Sequence, residues 1–303
     1  MRNNFVIEED SVNSRLDRWF KRNICDVPQS LIEKNLRKGN IKVNEKKEKS
    51  SYRLDLKDIV SIKNIDFKKS KLNQTNNKYL PTKKDLSLSS SLFIENNENF
   101  AVINKPSGIA VQSGTKSKKN IIDILRKTKE FVGYNPYTVH RLDKETTGIL
   151  IVAKNRKFAQ LFTTLFRIRK IHKTYIGMVL GEVAENSGTF KDNLFYYEGD
   201  KKIKTLAITR YTKVDTNYKY SLLKLFPETG RKHQLRKQLL INGTPIFGDT
   251  KYRLSENNLK KNSLMLHAYK INFSIDNYKY NFTAELPQNF IKTLKEKNLK
   301  SFQ

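Results

Sequence analysis

Apolar and polar positions divide the chain into three stretches of different rhythm. In the first, Leu16, Trp19, Phe20 and Ile24 recur at helical spacing and predict an amphipathic helix. Pro28 opens a second such run carrying Leu31, Ile32 and Leu36, and Gly39 follows where a helix would stop. Ile41 and Val43 alternate as in a strand, and Asp58-Ile59-Val60-Ser61-Ile62 predicts a closing strand. Residues 1–63 therefore predict a small module of two helices followed by short strands. From about Asn64 to Ser90 the pattern disappears into Lys, Asn and Ser, which predicts a flexible basic linker over 64–90.

Residues 91–303 have the third rhythm. Phe100 to Ile103 and Gly148 to Ala153 are apolar runs of strand length, and Phe158, Leu161, Phe162, Leu165 and Phe166 form a helical stripe. Tyr175 to Val179, Tyr218 to Phe226 and Tyr278 to Ala284 again predict strands. Strands outnumber helices and no regular strand–helix–strand alternation appears. The expected class is α+β with a mostly antiparallel sheet.

Charge changes this picture more than hydropathy does. Among 303 residues, 59 Lys and Arg face 30 Asp and Glu, a formal net charge of +29. Such a field favours polyanionic partners, nucleic acid first. An AT-rich genome would encode part of the lysine excess, so motifs must identify the partner. Cys25 is the only cysteine, which excludes an intrachain disulfide and a cysteine-based metal site. No apolar run reaches the length of about 18 residues that a membrane helix needs, and the first residues carry no signal-like apolar core. A cytoplasmic chain with no membrane association is expected.

Two segments carry candidate chemistry. Asp143 follows His140-Arg141-Leu142 and precedes a polar turn leading into an apolar strand. A carboxylate there could cap the turn, join a surface ion pair, or be presented for catalysis. Thr229 to Arg236 sets Arg231, His233 and Arg236 off the apolar side of Leu235, Leu239 and Leu240, as a solvated basic helix or a set of phosphate contacts would.

The run from Val139 to Gly148, with Lys154 beyond it, resembles the central motif of the RluA-type pseudouridine synthases. Asn104 to Gly108, Lys173-Thr174-Tyr175 with Gly181, Thr229 to Arg236, Gly243 to Asp249 with Tyr252, and Leu266-His267-Ala268 are similar to further segments of that family, in the same order. Residues 13–63 separately resemble the S4 RNA-binding domain of its large-subunit ribosomal RNA members, through Arg15-Leu16-Asp17, Pro28 to Ile32 and Leu36 to Asn44. The chain departs from the family pattern at Thr147 for Ser, Glu145 for Asp, and Lys237-Gln238 for Val-His. The last change removes an imidazole beside the candidate helix and puts fine substrate choice in question.

The resemblance implies isomerisation of uridine to pseudouridine in RNA. The N1–C1′ bond is exchanged for C5–C1′, with no cofactor and no metal. It implies that Asp143 is the catalytic carboxylate, as nucleophile or as general base, and that the Arg236 fork pairs with it. Tyr175 is expected against the uracil ring, relaying the proton that leaves C5. His140, Arg141, Arg231 and His233 would hold RNA near the site, and Arg15, Arg18, Lys34, Arg37, Lys38 and Lys42 would do so in the S4-like module. The implied substrate is large-subunit ribosomal RNA and the implied state a monomer. A transfer RNA synthase and a non-catalytic ribosome-assembly factor are the alternatives, and the latter would not need Asp143, Tyr175 and Arg236 together.

Overall fold

The computed structural model describes residues 2–25, 27–63, 79–82, 85–86, 90–113, 119–198, 201–254 and 262–300. The chain divides into two compact units, Met1–Asn76 and Asn77–Gln303.

In the first unit, α1 (Leu16–Asn23) and α2 (Gln29–Lys38) lead into β2 (Ile41–Val43) and β3 (Ile59–Lys63). Gly39 ends α2 in the left-handed region at φ 76°, its N–H bonded to the Leu36 carbonyl. Leu16, Trp19, Phe20, Ile32 and Leu36 from the helices meet Ile41, Val43, Val60 and Ile62 in one core. A further strand, β1 (Arg2–Val6), pairs antiparallel with β3, giving the order β1-β3-β2. Its polar sequence, Arg-Asn-Asn-Phe-Val, gave no alternation from which to predict it.

The second unit is α+β. A 10-stranded sheet runs β4 (Phe93–Asn96), β5 (Phe100–Lys105), β7 (Thr147–Ala153), β12 (Leu266–Ile275), β8 (His172–Leu180), β11 (Tyr220–Pro227), β10 (Lys201–Asn217) and β9 (Ser187–Glu198). β6 (Tyr137–Thr138) joins β7, and β13 (Tyr278–Thr283) joins β12. Every pairing is antiparallel except β7 with β12.

The apolar runs of β5 and β7 are buried on both faces. Ala101, Ile103, Leu150 and Val152 meet the short helix α3 (Ile121–Leu125). The alternate positions, Phe100, Val102, Ile149 and Ile151, meet Phe158 and Phe162 of α4 (Arg156–Arg167). Farther along the sheet, Ile176, Met178 and Leu222 pack with Leu235 and Leu239 of α5 (Gln234–Ile241) and with Phe290 and Leu294 of α6 (Gln288–Glu296).

One register point positions the chemistry. Ala268 of β12 is the partner of Gly148 on β7 and of Tyr175 on β8. The loop that ends at Gly148 and the side chain of Tyr175 thus flank a single strand, about 10 Å apart at ordinary strand spacing. The approach at Gly148 is so close that a Cβ there would lie 2.3 Å from the Ala268 carbonyl oxygen, and its φ is 104°, so glycine is required on both counts.

The expected linker, 64–90, lies largely outside the described residues, and its described part departs from the expectation. Tyr79 packs against the α3 core and its backbone N–H donates to Asp123. Asp85 accepts from the Tyr79 hydroxyl, from Thr82 and from Lys119. One aromatic and one carboxylate anchor this stretch, too few positions to leave a hydrophobic period.

Candidate active site

Asp143 lies on the loop between β6 and β7, and the fold secures that loop from below. Leu142 is buried in the α3 core. The Thr146 N–H closes a turn onto the Asp143 carbonyl. Lys105, at the end of β5, is fully buried and its Nζ donates to the carbonyls of Pro106 (2.8 Å), Ile109 (3.0 Å) and Lys144 (3.1 Å). The Gly108 N–H and the Ser107 hydroxyl donate to the Lys144 and Glu145 carbonyls. Burial pushes the Lys105 ammonium down to about 7, against the opposing pull of Glu145 and Asp143. Three carbonyl acceptors are what keep a cation tolerable there.

The second half of the site comes from the segment entering α5. His233 caps the helix in the left-handed conformation at φ 54°, which turns its ring toward the loop. Its Nδ1 shares a 2.9 Å hydrogen bond with the Tyr252 hydroxyl, and its Nε2 is 3.7 Å from Asp143 Oδ1. Burial holds the imidazole below its ordinary range, with Arg236, Lys251 and Lys232 adding to that and Asp143 opposing it.

One turn into α5, Arg236 is buried and donates in two directions. Its Nε and one terminal nitrogen form a fork on Asp249, at 2.6 and 2.8 Å. Its other terminal nitrogen donates to Asp143 Oδ2 at 3.2 Å. This corrects the expected pairing, because the bidentate partner is Asp249 and Asp143 receives a single bond. Asp249 is wholly buried, and burial alone would raise its pKa. Arg236 and the N–H groups of Tyr252 and Lys251 outweigh that and hold it below the carboxylate range. Burial likewise opposes the Arg236 charge, and the two carboxylates restore it. The Tyr252 ring lies 5.1 Å from the guanidinium carbon.

Asp143, Tyr175, Arg236, Arg141, Arg231 and His233 all line one cleft of about 1280 Å³, rimmed further by Arg167, Arg169 and Lys232. Tyr175 is held well above its ordinary range by burial and then by the Asp143 charge, so it is a neutral phenol. A phenolate relay is thereby disfavoured. His140 also borders the cleft but faces the framework. Its Nε2 accepts the Ile151 N–H at 2.9 Å, its ring lies 4.6 Å from that of Phe166, and burial pushes it down to about 3. Its Nε2 is thereby engaged by the framework, and the ring is uncharged.

Of the remaining expected residues, Arg18, Lys34, Arg37 and Lys38 are exposed on α1 and α2, and Lys42 is half-buried. The Arg15 fork is engaged by Asp17, at 3.1 and 2.7 Å. Two of the positions that depart from the family pattern, Gln238 and Thr147, serve the framework. Gln238 is fully buried, accepts from Thr209 and donates to Asp192 and to the Phe190 and Ala207 carbonyls, and it does not line the cleft. The Thr147 hydroxyl bonds His267 Nδ1 at 2.7 Å, while His267 Nε2 meets the Ala284 carbonyl. Lys105, Asp249 and Tyr252 stood inside matched segments, but nothing in those segments showed that they converge. Among the described residues no three His, Cys, Asp or Glu side chains form a metal-ligand cluster. No described helix is long and apolar enough to cross a membrane.

Known proteins resemble this chain along most of its length. A family model for RNA pseudouridylate synthase matches residues 99–240. The ribosomal large subunit pseudouridine synthase C of Buchnera aphidicola (Acyrthosiphon pisum symbiont) is 32% identical over 281 residues, covering 88% of each chain. That of Rickettsia felis is 34% identical over 293 residues, covering 91% of this chain and 94% of the relative. Among solved structures, human RNA pseudouridylate synthase domain containing 4 superposes with a TM-score of 0.61 at 25% identity, over 72% of this chain and 98% of that one.

Arg236→Lys keeps the charge but cannot reach Asp249 and Asp143 together. With Asp143 no longer held in register, the single-turnover rate on RNA should fall by about a hundredfold, while the melting transition stays cooperative. A rate within a few-fold of the parent would reduce the bridge to a packing feature.

Proposed function

Because the chain belongs to the RNA pseudouridylate synthase family, in its RluA type, we propose that it isomerises uridines of large-subunit ribosomal RNA to pseudouridine, with Asp143 as the catalytic carboxylate. The observation that carries this is the single bond from Arg236 to Asp143. The other carboxylate oxygen lies 3.7 Å from His233 Nε2, and Asp143, Tyr175 and His233 line the same cleft. The names of these relatives support the ribosomal substrate, and a cytoplasmic site of action follows from it.

The reaction breaks N1–C1′, turns the freed uracil, forms C5–C1′ and moves the C5 proton away. Asp143 acts at the ribose, either as nucleophile at C1′ or as base in forming a glycal. Arg236 holds its orientation through both steps, and the Tyr175 ring face supports the turning base. The target must first leave its stack, which costs a few kcal/mol. The basic rim of Arg141, Arg167, Arg169 and Arg231 supplies phosphate contacts that offset this cost.

For residues 1–63 we keep the S4-type RNA-binding role. It is supported by the exposed row of Lys34, Arg37 and Lys38 on α2 and by Arg18 on α1. Arg15 contributes less, its fork being taken by Asp17.

Asp143→Asn keeps shape and removes one charge, so it should bind large-subunit RNA as the parent does while pseudouridine at the mapped site drops to background. Conversion by this variant above a few per cent of the parent would remove Asp143 from the mechanism. The two units have separate cores, so residues 77–303 should fold alone. On a short RNA its turnover should match the full chain, and on long structured ribosomal RNA its affinity should weaken by about tenfold. Equal losses on both substrates would show that residues 1–76 serve the chemistry and not RNA capture.

A further inference from the structure

The cleft does not end at its rim. The hairpin of β9 and β10 carries an open face that nothing in the reaction uses. Side chains alternate along it with a period of two. One set, Phe190, Leu194, Ala207 and Thr209, is buried. Gln238 of α5 bonds the Phe190 and Ala207 carbonyls on this part of the hairpin, and Lys237 donates to the Phe195 carbonyl. The other set faces outward: Lys191, Asn193 and Phe195 on β9, and Lys202, Lys204, Leu206 and Arg210 on β10, all exposed. Cross-strand register sets Lys204 opposite Phe195 and Leu206 opposite Asn193.

Three features of this face point to one ligand. The first is charge. Lys191, Lys202, Lys204 and Arg210 share it, and no acidic residue alternates onto it between Thr189 and Phe195 or between Lys202 and Arg210. Arg210, at the base, is paired with Glu228 at 2.9 Å, which leaves the lysines as the freer cations. The second is an aromatic surface. Phe195 is 46% exposed, and Lys202 Nζ lies 4.4 Å from its ring centroid. An exposed ring among lysines suits a stacked, unpaired base better than a duplex, whose bases are already stacked. The third is continuity. Arg210 and Arg231 both line the cleft, and Arg231 Nε donates to the Leu206 carbonyl in the middle of the face.

We propose that this hairpin face is a binding track for single-stranded RNA flanking the target uridine, with Lys202 and Lys204 on successive phosphates and Phe195 stacked on a base. Every second residue along β10 advances about 6.7 Å, commensurate with consecutive phosphates of an extended strand. The track holds the flank of a substrate whose target lies in the cleft, so the inference rests on the RNA-modifying reading above. It adds to that reading a requirement for unpaired nucleotides next to the target.

The test uses the full chain, with Phe195→Ala and the double variant Lys202→Gln/Lys204→Gln. All three side chains are exposed, so folding should be unaffected, and a melting curve checks it. Binding is measured by fluorescence anisotropy, with a labelled mixed-sequence RNA single strand of about 16 nucleotides and a duplex of the same length, the upper end of the site size of such grooves. Phe195→Ala should weaken single-strand binding by about tenfold and leave duplex binding nearly unchanged. The double variant should lower the log–log salt slope for the single strand by about 1.4, two phosphate contacts' worth. In turnover, KM should rise with kcat unchanged on a target carrying unpaired flanks, with no change on one trimmed of them. Unchanged single-strand affinity in both variants would overturn the track, as would equal losses on strand and duplex. The binding arms do not depend on catalysis. If the parent protein forms no pseudouridine, the functional reading fails while the track is still judged by anisotropy.

Discussion

The Arg236 guanidinium donates to two carboxylates at once, and most of the cleft is built around keeping it there. Asp249 has no solvent exposure, so its charge survives only because Arg236 and two backbone N–H groups bind it. Breaking such a buried pair typically costs about 3–5 kcal/mol, which makes the fork the fixed point. Of the three N–H groups left over, one on the other terminal nitrogen donates to Asp143. A planar, always-charged group with five donors can do this, whereas an ammonium on a flexible stem cannot.

The Asp143 loop needs a second constraint, and Lys105 supplies it from the opposite side. Its ammonium gathers three carbonyls, one of them from the residue following Asp143. Beneath both lies the sheet, where Ala268 joins the strand behind the loop to the strand carrying Tyr175. A carboxylate bonded by a buried arginine, on a loop whose backbone is pinned by a buried lysine, is oriented before RNA arrives, which is the preorganisation that electrostatic catalysis requires. Orientation here is set by helix, strand and loop at once, and this is why the three candidate residues are so distant in sequence.

That distance also explains what the sequence revealed. Strands with both faces buried, such as Phe100 to Ile103 and Gly148 to Ala153, are legible because they are continuous apolar runs. The helix stripe from Phe158 to Phe166 is legible for its period. The β9–β10 hairpin was missed, because one face meets α5 while the other is lined with lysines and exposed apolar groups, which blurs alternation. Asp143, Tyr175 and Arg236 were found through motif resemblance and not through local pattern, since each alone reads as an ordinary polar or core residue. The choice of Asp249 as the partner of the Arg236 fork was out of reach, because it depends on a contact spanning 13 residues through a buried turn. That His140 is a neutral acceptor for a strand N–H follows from burial, which the residue type alone does not show.

On the reading proposed above, the cleft exchanges N1–C1′ for C5–C1′ at a uridine, with Asp143 at the ribose. Forming the C5–C1′ bond must release the hydrogen on C5 of the uracil. Unmodified large-subunit ribosomal RNA carrying tritium at uracil C5 therefore gives the most direct measurement. The full chain should release tritium to water up to a fixed stoichiometry set by its target uridines, and release should stop when Asp143 is replaced by Asn. Absence of release from that RNA, or release undiminished by the replacement, would contradict that reading.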